Sequence, residues 1–432
     1  MECICSPLRS FLMFTAIGFV LIALYSLNVG NPAVRMRMPS RMPSRMPSRM
    51  PDRGPAIQDT VSQQVSDARE MTDMSPAVST SPSSLADLNN DEMTKYPGLR
   101  TSMKVLPSEA ASSRTKLLIV TYMRSGSSLT GNIVQFDPNV FYVFEPLHEL
   151  KWYKWGENIN IQYLKSRPNV MTKSKYTRIS EKTIRDIFRC NFLELDIATL
   201  TQYHMQSSAS TKSYHDCLLR YPGALNLFKC IPILNKRCMA SKVGVIKTIE
   251  FPITSAKYLA TKDKSLKVLH LIRDPRATLL SQVVHNRFPW EKIEEESLKH
   301  CNKVSEDLRV TRQWLMTSPT SIKILFYEDL CQNPSTEAKE LYKFVGLNYT
   351  EDTESSVRKL TSASKDGRCL ICTVRKSSRK ASEKWRGHIN MRHVKIIDRN
   401  CRDVYKKLGY LPVENVDILR NVSHPLRIIT HV

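Results

Sequence analysis

At 432 residues and 41% hydrophobic content the chain has enough apolar material to bury a core, which excludes a wholly disordered protein. Lysine and arginine number 64 against 41 acidic residues, a formal net charge of +23, so the surface attracts anions such as nucleic acid, acidic membrane, acidic glycan or a phosphorylated nucleotide. Charge alone does not choose among these partners.

Residues 1–10 read as a short cytoplasmic tail, followed by Phe11–Val29, 19 residues without a formal charge. That is close to the ~20 a helix needs to cross a bilayer, and it predicts a single transmembrane signal anchor. A cleaved signal peptide is the alternative, but its apolar region is usually about 7–15 residues and ends in a small-x-small site, which Tyr25-Ser26-Leu27-Asn28 supplies poorly. Flanking charge argues for the reverse orientation, since Arg35, Arg37 and Arg41 follow the run and Arg9 precedes it. Against that stand two N-x-S/T sequons, at Asn348 and Asn421, and nine of the 11 cysteines, all but Cys3 and Cys5, beyond the run; these suit an oxidising lumen.

Residues 30–114 show no sustained apolar periodicity, and within them Arg37–Asp52 repeats Arg-Met-Pro-Ser. Proline at every fourth position prevents a continuous helix, so the segment is expected to be a disordered stem spacing a folded domain from the membrane. It lacks the interleaved aromatics of a nucleic-acid arm, and no nucleic-acid partner is expected.

Order begins at Lys116, where Leu117–Thr121 has the composition of a buried parallel strand. Val140–Phe144, Val243–Ile246, Val268–Ile272 and Ile322–Phe326 are further runs of this kind, with helical patterning over Leu129–Phe136, Ala277–Val284, Glu291–Met316 and Thr336–Val345. The alternation predicts one α/β domain over residues 115–415 with a mainly parallel sheet flanked by helices, and a C-terminal tail over 416–432.

Two strand-to-helix turns carry the chemistry. After the first strand comes Tyr122-Met123-Arg124-Ser125-Gly126-Ser127-Ser128 and then Leu129, where successive backbone N–H groups and a helix N-terminus face one point, a receptor for phosphate or phosphosulfate. Gly126 permits the turn, the serines add donors and Arg124 a permanent charge; an ordinary Ser-rich cap is the alternative. The second turn is Arg273-Asp274-Pro275-Arg276, with Pro275 suited to a first helical turn and Ser281 two turns on. Arg273 and Ser281 can converge on a second phosphate at the carboxyl edge of the sheet, unless Arg273 and Asp274 are only a structural ion pair.

Together these elements resemble the Golgi carbohydrate sulfotransferases of the galactose, N-acetylgalactosamine and N-acetylglucosamine 6-O family. The likeness rests on Arg124–Ser128, Phe141–Leu147, Arg273–Arg276 through Ser281, Tyr327–Leu330, Glu383–Arg386, Cys401 and Gly409-Tyr410, and spans nearly all of Lys116–Pro412. It implies a P-loop-like sulfotransferase fold, 3′-phosphoadenosine 5′-phosphosulfate (PAPS) as donor, a glycan acceptor and no metal. It further implies a lumenal domain on a single-pass type II Golgi membrane anchor, with a homodimer left open. Met123, Arg124, Ser125, Gly126, Ser127, Ser128 and Leu129 would hold the 5′-phosphosulfate, and Arg273, Asp274, Pro275, Arg276 and Ser281 the 3′-phosphate.

Sulfuryl transfer, like phosphoryl transfer, proceeds through a loose in-line transition state, so the catalyst must supply position, charge and a base for the acceptor hydroxyl. Glu145, at the end of the strand after the loop, is the expected base; His148, whose ordinary pKa of about 6.5 suits the task, is the reserve. Arg124 is expected to stabilise charge on the departing oxygens.

Lys376, Arg379, Lys380 and Lys384 form a late basic cluster, either a nucleotide cover or a solvated face. Cys369-Leu370-Ile371-Cys372 has no second C-x-x-C at finger spacing, so disulfides are expected, and the odd lumenal count leaves at least one thiol free or paired between chains. A P-loop kinase is excluded by the absence of G-x-x-x-x-G-K-[ST], and a metal-dependent glycosyltransferase is disfavoured by the absence of D-x-D. A lumenal glycan-binding protein with this fold and no turnover remains the non-enzymatic alternative. Acceptor choice is expected in the loops at Lys151–Tyr203 and His285–Trp290.

Overall fold

The computed structural model describes residues 114–153, 159–165, 168–221, 225–367 and 372–428; the expected tail, membrane anchor and nearly all of the stem lie outside them. Among the described residues no helix is long and apolar enough to cross a membrane.

Among the described residues seven strands occur: β1 (Thr115–Val120), β2 (Val140–Phe144), β3 (Ile159–Ile161), β4 (Asn169–Met171), β5 (Val243–Thr248), β6 (Leu266–Ile272) and β7 (Ile322–Phe326). Five form one all-parallel sheet in the order β2-β5-β1-β6-β7, and β3 and β4 form a small antiparallel hairpin. The five apolar runs foreseen in the sequence are these five sheet strands. Helices cover both sheet faces, so the runs need no polar alternation. Leu117 and Ile119 pack with Ile133, Tyr142, Leu341 and Tyr342, while Leu118 and Val120 face Phe141, Val143, Phe192 and Ile231. Each such side chain contributes roughly 1.5–3 kcal/mol on burial.

The first helix runs Ser127–Val134, two residues earlier than its apolar pattern suggests, because Gly126 at φ 86° takes the left-handed conformation that starts it. The long helix occupies Ile293–Thr317 after a short 3-10 turn at Trp290–Lys292. The helices between β4 and β5, the longer ones being Lys173–Phe188, Ala209–Arg220 and Leu225–Met239 beside the short Ile197–Thr201, were not anticipated.

Disulfides Cys190–Cys238 and Cys217–Cys230 staple this inserted region, and Cys301–Cys401 ties the long helix to the C-terminal part. Cys372 is disulfide-bonded, and among the described residues Cys331 is a buried free thiol, one of the two outcomes the odd count allows. At the amino end of β1, Arg114 donates to Ser241 Oγ (2.6 Å) and to the Phe188 carbonyl (3.0 Å). The C-terminal boundary differs from expectation. Instead of a tail beginning at residue 416, Val416–Arg420 is a helix with Leu419 fully buried, and Arg386 donates to the carbonyls of Leu419 (2.9 Å) and His424 (3.0 Å).

Strand order reverses at the junction of β1 and β6: the chain leaves β1 for β2 on one side and β6 for β7 on the other. A crevice opens at the carboxyl ends of such a pair.

Candidate active site

The two turns flagged in the sequence lie in that crevice, at the ends of β1 and β6, and meet. Arg273 Nη1 donates to the carbonyl of Arg124 at 2.8 Å, and the Arg124 guanidinium reaches across to Ser281 Oγ (3.0 Å) and His285 Nε2 (2.7 Å). Burial and the neighbouring Arg124 and Arg287 push His285 down to about 4, so its ring is neutral and accepts. Burial and crowding by Arg273 and Arg287 lower Arg124 to about 10, which leaves it a cation at neutral pH.

Arg124 itself sits at φ 68° and Gly126 at φ 86°, bringing the loop close to Tyr327. A Cβ on Gly126 would lie 2.0 Å from the Tyr327 ring. No side chain caps the helix that follows, so its N-terminal turn faces the cavity as an anion receptor. Arg273 Nε is buried without a hydrogen-bond partner, the state expected of a donor built for an anion. Arg273 also lies over the Tyr327 ring, 4.6 Å from its centroid.

Met123, Arg124, Gly126, Ser127, Ser128, Leu129, Arg273 and Ser281 line one cavity of about 290 Å³, together with Glu145 and His148. Ser125, Asp274, Pro275 and Arg276 do not line it. Asp274 caps its helix by accepting from the Arg276 N–H (2.9 Å), and its own N–H donates to Glu328 Oε1 (2.9 Å). Arg276 is fully buried, bound to Asp274 (2.8 Å), to the Leu411 carbonyl (2.9 Å) and, more loosely, to Asp398 (3.4 Å). Asp274 thus pairs with Arg276, which frees Arg273 for the cavity.

On the opposite wall Glu145 directly follows β2 at φ 44°, and its N–H donates to the Lys247 carbonyl (2.8 Å) near the end of β5. Lys247 Nζ donates to the Glu145 carboxylate and lies 4.2 Å from the Phe144 ring centroid. Burial alone would raise the Glu145 pKa; the Lys247 ammonium outweighs it and holds the carboxyl below its usual range. His148 Nδ1 stands 3.9 Å from Glu145 Oε2, and its ring packs edge-on against His204 at 4.3 Å. Burial, with His204 and Lys151 nearby, takes His148 down to about 3, and burial takes His204 to about 4, so both rings are neutral at pH 7.

Ligand atoms of Glu145, His148 and His204 lie within 4.8 Å of one another, a spacing that accommodates a metal ion. Any such ion would compete with Lys247, which already holds a positive charge on Glu145.

Sequence reasoning missed Lys247, His204 and Arg375, which line the cavity, as do Lys151 and Arg287 from the two segments expected to set acceptor choice. Lys247 carried a signal, being a charge directly after the apolar run Val243–Ile246 at a parallel strand's carboxyl end. The late basic cluster contributes its neighbours Thr373, Arg375, Ser378 and Ala381 to the cavity; Lys376, Arg379, Lys380 and Lys384 are exposed. Burial pushes the Cys331 thiol up to about 12, which makes it inert.

Among characterised proteins, carbohydrate sulfotransferase 3 of Homo sapiens is 24% identical over 354 residues, covering 72% of this chain and 71% of its own length. Carbohydrate sulfotransferase 4 of Mus musculus is 25% identical over 354 residues (73% and 87%), and carbohydrate sulfotransferase 6 of Homo sapiens 24% over 350 residues (72% and 84%). The family model described as the sulfotransferase domain matches residues 114–409, a stretch that takes in the whole sheet, both anion-facing turns and Glu145, and the chain therefore belongs to the sulfotransferase domain family.

Proposed function

We propose that the protein transfers a sulfuryl group from PAPS to the 6-hydroxyl of galactose, N-acetylglucosamine or N-acetylgalactosamine in a keratan-type, chondroitin-type or mucin-type glycan. The observation that carries this reading is the contact between Arg273 and Arg124, which brings two anion-binding turns to one cavity with an ionised carboxylate on its far wall. Two sites for negative groups suit a donor with phosphate at its 3′ and 5′ positions, and the names of the relatives supply the carbohydrate.

In this reading the N-terminal turn of Ser127–Val134 and the Arg124–Ser128 backbone hold the phosphosulfate, while Arg273 and Ser281 hold the 3′-phosphate. Glu145 accepts the proton of the attacking hydroxyl, with His148 as the reserve. Lys247, the cation paired to that carboxylate, shares with Arg124 the stabilisation of charge developing on the transferred group. Asp274 and Arg276 contribute by fixing the helix that carries Ser281.

The disulfides support an oxidising compartment, and with residues 11–29 as an anchor they fit a single-pass type II Golgi membrane protein with a lumenal domain. Transfer of ³⁵S from labelled PAPS to a panel of desulfated glycans, followed by disaccharide analysis, tests the assignment. Label at a 6-hydroxyl supports it; donor binding without transfer to any acceptor points to a binding protein instead.

A further inference from the structure

Each sulfuryl transfer breaks an acceptor O–H bond and a donor S–O bond and forms one O–S bond, so one proton is left on the base at every turnover. Glu145 is poorly placed to discharge it alone. Its side chain is only 13% exposed, and it is paired to Lys247, whose side chain is 2% exposed. Resting on the reading of Glu145 as the base, we infer that His148 and Glu149 form a proton exit from Glu145 to solvent.

The geometry is a carboxylate–imidazole–carboxylate line. His148 Nδ1 lies 3.9 Å from Glu145 Oε2, and on the opposite side of the ring His148 Nε2 lies 3.9 Å from Glu149 Oε1. Side-chain exposure climbs along it, 13% at Glu145, 24% at His148 and 35% at Glu149. Each gap exceeds a direct hydrogen bond by under about 1 Å, a distance closed by a small ring displacement or bridged by one water. A neutral imidazole accepts at one nitrogen and donates from the other, so the Glu145 proton passes to Nδ1 while the Nε2 proton passes to the Glu149 carboxylate and from there to water. The ring then returns to its first tautomer by exchange with solvent.

Charges around the ring favour passage over storage. Burial chiefly disfavours an imidazolium at His148, and the cations Lys151 and Arg287 act in the same sense, opposed by Glu145. Lys247 in turn favours ionised Glu145, which returns the base to its working state. His204 packs against His148 edge-on and holds the ring in line.

The test is the steady-state turnover rate of Glu149→Gln with PAPS and a desulfated glycan, in dilute and in concentrated imidazole buffer, because only repeated turnover requires Glu145 to shed its proton. The expected result is a rate about tenfold below wild type in dilute buffer, recovering as imidazole is added, with wild type insensitive to buffer. Affinity for adenosine 3′,5′-bisphosphate should stay unchanged, and Glu149→Asp should restore part of the rate. A Glu149→Gln rate equal to wild type in dilute buffer overturns the exit, as does a reduced rate with no response to imidazole. Glu145→Gln, measured in parallel, separates the two claims: full activity there removes the base itself, whereas an inactive Glu145→Gln beside a fully active Glu149→Gln removes only the exit.

Discussion

Lys247 and Glu145 meet because β5 and β2 are adjacent parallel strands in which Phe144 is in register with Lys247. The residue after Phe144 turns to φ 44° and brings its carboxylate back over the ammonium. A strained backbone at a buried ion pair on the cavity wall is a functional arrangement more than a stabilising one, since a buried pair alone adds little to stability.

Replacing Glu145 with Gln keeps size and hydrogen bonding while removing the basic oxygen. Turnover should fall by about 10²-fold or more, with affinity for adenosine 3′,5′-bisphosphate within a factor of about two by calorimetry. Unchanged turnover would move the base to His148.

Lys247→Met should shift the acid limb of the kcat–pH profile upward. Burial raises the Glu145 pKa and Lys247 is the chief group lowering it, so without the ammonium only the weaker influence of His204 and His148 opposes the burial effect. For stability the sign is the same: a depressed carboxylate stabilises the fold above its unfolded pKa, and that contribution is lost as pH falls through the folded value. The thermal stability gap between wild type and variant should therefore narrow in acid. An acid limb that stays in place would mean Lys247 does not set this carboxylate.

Arg273 and Arg276 should separate cleanly despite their proximity. Arg273→Ala is expected to weaken donor binding with little change in Tm, as is Arg124→Ala, because both side chains face the cavity. Arg276→Ala leaves Asp274 and Asp398 buried without their cation and should cost about 3–5 kcal/mol of stability. Urea unfolding alongside bisphosphate titration distinguishes them; loss of donor affinity in a fully stable Arg276→Ala would contradict this division.

Gly126→Ala should lose donor affinity and lower Tm together. The φ of 86° costs an L-residue roughly 1–2 kcal/mol, and the added Cβ would overlap the Tyr327 ring, so the loop must move. Wild-type binding by this variant would show that the loop backbone does not hold the donor.

Opening the Cys301–Cys401 bridge with the double Ser variant releases a link between residues 100 apart, worth about 2–5 kcal/mol. A lower Tm with activity retained well below it is the expected outcome, because neither cysteine lines the cavity.

Much of the fold was legible because a parallel sheet covered on both faces leaves uninterrupted apolar runs, and the five strands stand where those runs fall. The helices between β4 and β5 were not, although their apolar side chains, Ile187, Tyr214 and Ile231 among them, join one core with Leu118, Val120, Phe141 and Val143 of the sheet. In the site, the Arg124–Ser128 and Arg273–Ser281 turns could be read because local sequence fixes local backbone. Asp274 and Arg276 were misplaced because spacing along a motif does not tell which side chains turn inward. His204 gave no signal: it reaches the cavity from a 3-10 turn 59 positions beyond Glu145, by tertiary packing alone.

Arg114 fixes where the chain enters the domain, at the amino end of β1, whereas the cavity opens at the carboxyl ends of the strands. The six residues of β1 put about 20 Å between the two. Arg114 therefore marks the edge of the domain farthest from the cavity, and a substrate approaching the mouth meets the opposite end of the sheet.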